Sequence, residues 1–263
     1  LINKKVNLKL SASQTLSRPE FRELAPFSFF DFNQFVSMQG NSKLQRTLIQ
    51  NYDFRYEFFI KDGEMISTSL FYKNFINPIE IVLDPAIGGG TRNMTYQNIP
   101  HAMVKGIEFE IRKRLPELNH FKWLKYITII SNLSWIVSRV DISNMNGTGR
   151  TYRPLQGQSP YIVNLLLNYQ NKGWYINTSY NLVGPRITNV GTKNYLEYYE
   201  KQRHIIDLQL GKTFKKDKID LKLNIGDLLS QSLIIYQPSA NATTFENSNV
   251  INSFRNGKSI TLS

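Results

Sequence analysis

Cysteine is missing altogether from this 263-residue chain, and histidine occurs only as His101, His120 and His204. Without cysteine there is no disulfide scaffold and no thiolate metal site. Three scattered histidines do not make a His-based centre, so neither a metal nor any other cofactor is expected. No run of about 18 apolar residues occurs, which excludes a transmembrane helix. Acids are outnumbered, 20 against 32 Lys and Arg, for a net charge of +12. Such a surplus invites a nucleic-acid reading. The longest basic cluster, however, is Lys215, Lys216 and Lys218 around a tight turn, and elsewhere cations sit beside acids, as in Asp53, Arg55 and Glu57. A spread charge of this kind is a solvated face, and no nucleic-acid partner is expected. What the chain has in plenty is aromatics, 14 Tyr and 16 Phe, too many for a disordered segment. Its opening, LINKKVNLKL, alternates like a strand interior and does not read as a leader, so a piece of something longer is expected.

Period-2 alternation runs through almost the whole chain. It predicts ten strands, over residues 3–15, 47–60, 64–77, 98–114, 122–140, 160–170, 173–183, 200–214 and 217–228, with a last one from near Ile251 to Leu262. Typical is 47–60, where Phe54, Tyr56, Phe58 and Ile60 alternate with Asp53, Arg55 and Glu57. The faces of 122–140 are mixed and stay unassigned. One short helical turn is expected around Arg18 to Leu24, after Ser17 and Pro19.

The connections alternate in length. Short ones fall at Lys61-Asp62-Gly63, Leu115 to Phe121, Asn171-Lys172 and Lys215-Lys216; long ones span 16–46, 79–97, 141–159, 185–199 and 229–248. In an antiparallel meander this sorts every short turn to one end and every long loop to the other. A soluble sandwich has no reason to do so, whereas outer-membrane barrels do. Turn chemistry agrees with the faces. Gly63 suits the left-handed position of a three-residue hairpin loop, which pairs Phe58 with Ile66, Tyr56 with Thr68 and Phe54 with Leu70. A two-residue loop at Asn171-Lys172 pairs Tyr169 with Trp174, Leu167 with Ile176 and Leu165 with Thr178.

Aromatics gather near the short-turn end: Phe58, Phe59, Trp123, Tyr169, Trp174, Tyr175 and Phe214. In a membrane barrel these form an interfacial girdle; in a sandwich, core aromatics would lie mid-strand. Asp53, Arg55, Glu57, Glu108, Glu110 and Arg112 occupy the polar face, either solvated or lining a lumen in cross-strand pairs. Local alternation does not separate those two readings. The sorted loops and the aromatic placement favour the lumen. Leu165, Leu208 and Leu223 are then expected against lipid, and Asn164, Gln209 and Lys222 in the lumen.

Three stretches, SQTLSRPEFRELAPFSFFDF at 13–32, NYDFRYEFFIKDGEMISTSLFYKNFINPIE at 51–80 and HAMVKGIEFEIRK at 101–113, resemble TonB-dependent outer-membrane receptors. The terminal GKSITLS resembles the start of such a receptor's final strand. The resemblance spans essentially the whole chain and corresponds to the C-terminal part of the barrel. It departs from the family at Asn41-Ser42-Lys43-Leu44, where Asn-Pro would be expected before the leucine. It implies an all-β, antiparallel up-and-down transmembrane barrel. About ten of a probable 22 strands lie here; the plug domain and earlier strands are absent. It also implies active import of a scarce nutrient (an iron chelate, a vitamin or an oligosaccharide) across a Gram-negative outer membrane. Implied partners are TonB through the missing N-terminal part, the receptor's own plug, lipid and lipopolysaccharide, and the nutrient, with or without a surface lipoprotein. The alternative is a passive porin-like or structural barrel.

Candidate chemistry is sparse. Arg18 and Glu20 either face a ligand vestibule or fix the loop after Pro19. Gly88-Gly89-Gly90 lacks the Lys-Ser/Thr of a phosphate loop, and Asn146-Gly147-Thr148-Gly149 reads as a turn. No spacing supports hydrolysis, and no enzyme is expected. Ligand contacts are expected among Arg150, Tyr152, Arg153, Arg186, Tyr195, Tyr198 and Tyr199, whose cations and rings suit an anionic or aromatic chelate.

Overall fold

The computed structural model describes residues 5–32, 36–83, 92–142, 151–191, 196–214, 219–238 and 248–263. In chain order the elements are β1 (Val6–Ser17), the one-turn helix α1 (Phe21–Leu24), β2 (Ser28–Asp31), β3 (Val36–Gln39), β4 (Thr47–Lys61), β5 (Glu64–Ile76), β6 (Ile79–Leu83), β7 (Arg92–Asn98) and β8 (His101–Arg114). After a 3₁₀ turn (Lys122–Tyr126) come β9 (Ile127–Asp141), β10 (Tyr152–Arg153), β11 (Tyr161–Asn171), β12 (Trp174–Val183), β13 (Arg186–Asn189) and β14 (Tyr198–Glu200). The chain closes with β15 (Arg203–Phe214), β16 (Ile219–Gly226), β17 (Leu233–Pro238), β18 (Ser248–Phe254) and β19 (Ser259–Leu262).

All ten expected strands join one antiparallel wall in the order β1-β4-β5-β8-β9-β11-β12-β15-β16-β19, with β10 added beside β9. The wall is an open sheet whose two ends are β1 and β19. The first hairpin has the expected register, Phe58 opposite Ile66 and Phe54 opposite Leu70; the pairing then skips Ile60, so Lys61 meets Glu64. The second hairpin is corrected by two residues. Its loop is Lys172-Gly173, both with positive φ (49° and 76°), so Asn171 meets Trp174 and Tyr169 meets Ile176. A turn with left-handed backbone at both central residues suits glycine at the second far better than asparagine followed by lysine. The slip is even, so every side chain keeps its face.

Two strand boundaries also change. Residues 122–126 are not strand but 3₁₀ turn. The expected last strand is divided: Ser248–Phe254 leaves the wall, and only Ser259–Leu262 pairs with β16. The helical turn shrinks to Phe21–Leu24. Glu20 caps it reciprocally with Glu23, which gives Glu20 the loop-fixing role of its two readings.

Burial in this fold is inverted. On the wall the alternating apolar face lies open, Leu10 at 81% and Trp135 at 68%, whereas side chains in the long connections are among the most buried, Met94 at 2% and Val190 at 1%. Those connections are not open loops. They build two further four-stranded sheets, β2-β3-β7-β6 and β13-β14-β17-β18. A parallel bridge between Val82 and Val190 joins the two. A shared cluster of Val36, Met38, Leu83, Met94 and Tyr198, backed by Phe29, Ile81, Ile235 and Ile251, draws on both sheets. The long-connection end of the wall thus carries a packed layer, fastened to it by Ile99, Ala102, Val140 and Ile142 with Phe75 and Leu155.

Candidate functional site

The pleat assigns the two faces of the wall, and pairing carries the assignment from strand to strand. Leu10, Phe54, Leu70, Ile107 and Trp135 follow one another across β1, β4, β5, β8 and β9 on the apolar face. Leu165, Leu208 and Leu223 fall on that same face, and Asn164, Gln209 and Lys222 on the other.

The polar face is hydrogen-bonded in two blocks. In the first, Glu57 accepts from Asn7 (2.8 Å), Lys9 (2.9 Å) and Arg55 (2.8 Å), while Arg55 also donates to Glu110 (2.7 Å) and Ser69 (3.0 Å). Asp53 accepts from Ser11 and Glu108 from Ser134. In the second block a row of amides runs in register across five strands. Asn168 donates to Asn177 (2.5 Å), Asn177 to Gln209 (2.8 Å), Gln209 to Asn224 (2.7 Å) and Asn224 to Thr261 (3.4 Å).

Between the first block and the packed layer lies a cavity of about 510 Å³. Arg55, Lys73, Phe71, Phe75 and Glu108 line it from the wall, and Leu155 and Gln158 from the layer. Phe71 lies against Gly106, where a Cβ would come within 2.6 Å of the ring; a side-chain-free position lets the ring lie flat. Arg55 is held by two carboxylates. Lys73 has no ion pair among the described residues, so it presents an unneutralised ammonium beside two aromatic rings. Pairing opposite Asn51 and Val104 puts Lys73 on the polar face, and the layer above partly covers the space it faces.

The residues expected to contact a ligand are dispersed. Arg153 is buried and grips both carboxylate oxygens of Glu80, which is equally buried. Arg186 is paired with Glu200 at 2.7 Å. Tyr198 is part of the layer's core. Tyr199 stacks on Tyr236, ring centroids 5.9 Å apart, and burial pushes the Tyr236 phenol above its usual range. Tyr152 is exposed, with the Arg139 guanidinium 6.0 Å from its ring. Arg186 and Tyr199 do share a cavity, of about 370 Å³. Arg150, Tyr195, Gly88-Gly89-Gly90, Asn146-Gly147-Thr148-Gly149 and the Lys215-Lys216 turn lie outside the described residues.

A family model described as "TonB dependent receptor-like, beta-barrel" matches residues 1–228. The chain belongs to this family. Among solved structures it is similar to a mutant ferric enterobactin receptor, PfeA, from Pseudomonas aeruginosa, with 16% identity and a TM-score of 0.61 over 99% of this chain and 38% of that one. It is similar also to the siderophore receptor PirA from Acinetobacter baumannii (14%, TM-score 0.59, 99% and 39%) and to the copper transporter OprC (13%, TM-score 0.61, 88% and 32%). The chain therefore spans less than two fifths of the length of these receptors. No curated protein sequence matches it. Proteins of the TonB-dependent family are transporters and not enzymes.

In the frame of a TonB-dependent barrel the apolar face is the outer one and the polar face the lumen. Of the aromatics expected in a girdle at the short-turn end, Phe58, Tyr169, Trp174 and Phe214 lie on the outer face, and Trp123 is exposed on the 3₁₀ turn. Phe59 and Tyr175 do not belong with them, because the pleat turns each to the opposite side from its neighbour. Tyr175 instead donates to Asp220 across the lumen face (3.1 Å). A second outer row, missed in the sequence, rings the long-connection end: Tyr52 and Tyr72, centroids 6.3 Å apart, with Trp135 and Tyr161.

Proposed function

We propose that the chain is the C-terminal part of the barrel wall of an outer-membrane receptor that imports a scarce nutrient with energy delivered through TonB. The TonB contact and the plug domain belong to parts of the receptor outside this chain. The apolar outer face, the two aromatic rows and the packed outer layer support a membrane-spanning wall. The cavity under the layer supports the ligand class. A free ammonium at Lys73 beside Phe71 and Phe75 suits an anionic, aromatic metal chelate better than an uncharged vitamin or a sugar. The similarity to an enterobactin receptor and a siderophore receptor supports that choice. Arg186 and Tyr199, which share a cavity between β9 and the layer, are the proposed outer contact for the same ligand, ahead of Lys73.

The test uses the intact receptor. Lys73→Gln should weaken ferric-chelate binding, read by tryptophan quenching, by roughly tenfold, as expected for one charge-assisted hydrogen bond. Uptake of the labelled chelate should stop when a protonophore collapses the proton gradient. Uptake that continues would support the rival reading of a passive pore. Unchanged chelate affinity in Lys73→Gln would remove the lumen cavity as the ligand site.

A further inference from the structure

The outer face of the wall is apolar along most of its height, and two cations interrupt it side by side at the long-connection end. Lys105 on β8 lies opposite Val137 on β9, and Arg139 lies one outward position further along, opposite Met103. Both are exposed. Their inward neighbours Ala102, Val104, Ile136 and Val140 are buried against the packed layer, so Lys105 and Arg139 face away from the protein. Neither makes an ion pair among the described residues; the Arg139 guanidinium lies 6.0 Å from the Tyr152 ring, and Asp141 occupies the next outward position of β9.

Their height matters. On β8 the next outward-facing cation is Lys113, eight residues away, and the outward positions between them are Ile107, Phe109 and Ile111. Eight residues rise about 27 Å along a strand, or roughly 20 Å along the normal of a membrane crossed at a tilt of ~40°. This approaches the thickness of the apolar band of such barrels, so the two lysines bracket it. Lys113 is neutralised by Glu64 at 2.7 Å; Lys105 has no ion pair among the described residues.

Directly beside Lys105 the outer face is hollowed. A groove of about 930 Å³ is lined by Leu10, Tyr52, Leu70, Tyr72, Ile107 and Trp135, with Lys105 and Val137 at its edge. A largely apolar groove with Lys105 in its lining, and Arg139 one outward position beyond Val137, has the shape and charge order of a lipid. An acyl chain fills the groove, and an anionic headgroup meets the cations.

We propose that Lys105 and Arg139 form a headgroup clamp for a phosphate-bearing lipid of the outer leaflet, seated with its chain in the groove beneath. The proposal rests on the outer-membrane reading above, and the test separates the two. The intact receptor is placed in phosphatidylcholine nanodiscs doped with diphosphoryl lipid A or with the same lipid stripped of phosphate, and retained lipid is counted by native mass spectrometry after detergent exchange. Heat-modifiable gel migration reports the folded barrel independently. Lys105→Gln and Arg139→Gln should each reduce retention of the diphosphoryl lipid about fivefold, and the double variant about thirtyfold. Lys212→Gln, at the short-turn end of the same face, should change nothing. The wild type should retain the dephosphorylated lipid as poorly as the double variant retains the intact one, a comparison that needs no variant to fold. Excess inorganic phosphate should not displace the lipid; displacement by it would mean a free-phosphate site and overturn the lipid assignment. Equal retention of the two lipids by a folded wild type, or undiminished retention by a folded double variant, also overturns the clamp. A wild type with no heat-modifiable form overturns the outer-membrane reading and the clamp with it.

Discussion

Glu80 and Arg153, 73 residues apart in the chain, meet as a fully buried pair in the layer above the wall, with Arg153 donating to both carboxylate oxygens. Glu80 accepts a third bond from the Gln156 amide nitrogen (3.2 Å). The Gln156 side chain bonds the backbone of Ile81 on one side and Thr188 on the other. One ion pair thus anchors the residue that stitches the two layer sheets together.

Removing either partner alone strands the other charge in an apolar surround. Arg153→Met or Glu80→Gln should therefore lower stability by about 3–5 kcal/mol. Replacing both by apolar residues should cost less than the two single changes added together. Guanidinium unfolding of the detergent-solubilised receptor, followed by protease resistance of the layer, measures this. Full additivity would mean that the pair contributes nothing as a pair.

The face assignment is tested at adjacent residues. Leu165→Arg should cost roughly 2–4 kcal/mol at mid-membrane, against little for Asn164→Arg, read as the folded fraction on heat-modifiable gels. A close-packed core would reject Leu165→Arg as well, so Leu165→Phe decides. A lipid-facing site accepts the larger ring, whereas a packed core loses about 1–3 kcal/mol from overpacking.

Orientation can be read with thiol chemistry, because the chain has no cysteine of its own. Leu229→Cys, exposed between β16 and β17 at the long-connection end, should react with a membrane-impermeant maleimide on intact cells. Asp62→Cys, in the β4–β5 turn, should react only after the cells are opened. The reverse pattern would invert the wall in the membrane.

Gly106 predicts a local effect. A side chain there collides with the Phe71 ring, so Gly106→Val should displace Phe71 from the lumen cavity. Chelate affinity should fall by several-fold while a gel-shifted barrel still forms, although the same Cβ also comes within 2.6 Å of the Trp135 carbonyl oxygen and the β8–β9 pairing must give there. Loss of the folded band would instead make Gly106 a requirement of the sheet itself.

The wall was legible in the sequence because its physics is local. Alternation at two-residue spacing marks each strand, and it survives an error in turn position: Leu165 keeps its face although the hairpin at Lys172-Gly173 is displaced from its expected place. The layer was illegible for the opposite reason. Its strands are as short as Val36–Gln39, too brief to show a period, and β3 pairs in parallel with β7 across a long separation. Arg153 has the residue type and loop position of a ligand contact, and nothing near it in sequence announces Glu80. The alternation of Thr68, Leu70 and Tyr72 with Ser67, Ser69 and Lys73 puts Lys73 on the polar face, whereas the partial cover that makes it a candidate is supplied by Leu155 and Gln158, far along the chain.

The layer that Val82 and Val190 bridge has a consequence for the order of assembly. Its residues come from segments 28–39, 79–98, 186–200 and 233–254, and each segment is delivered by a different pair of wall strands. Val36, Met38 and Met94 can meet once β1, β4, β5 and β8 stand in register, because β3 pairs with β7, but the cluster closes on Tyr198 only when the wall has been extended through β15. Contacts of such long range form late. The layer therefore acts as a latch that engages fully only on a correctly threaded wall, and a strand inserted out of register would leave it undone and open to proteolysis.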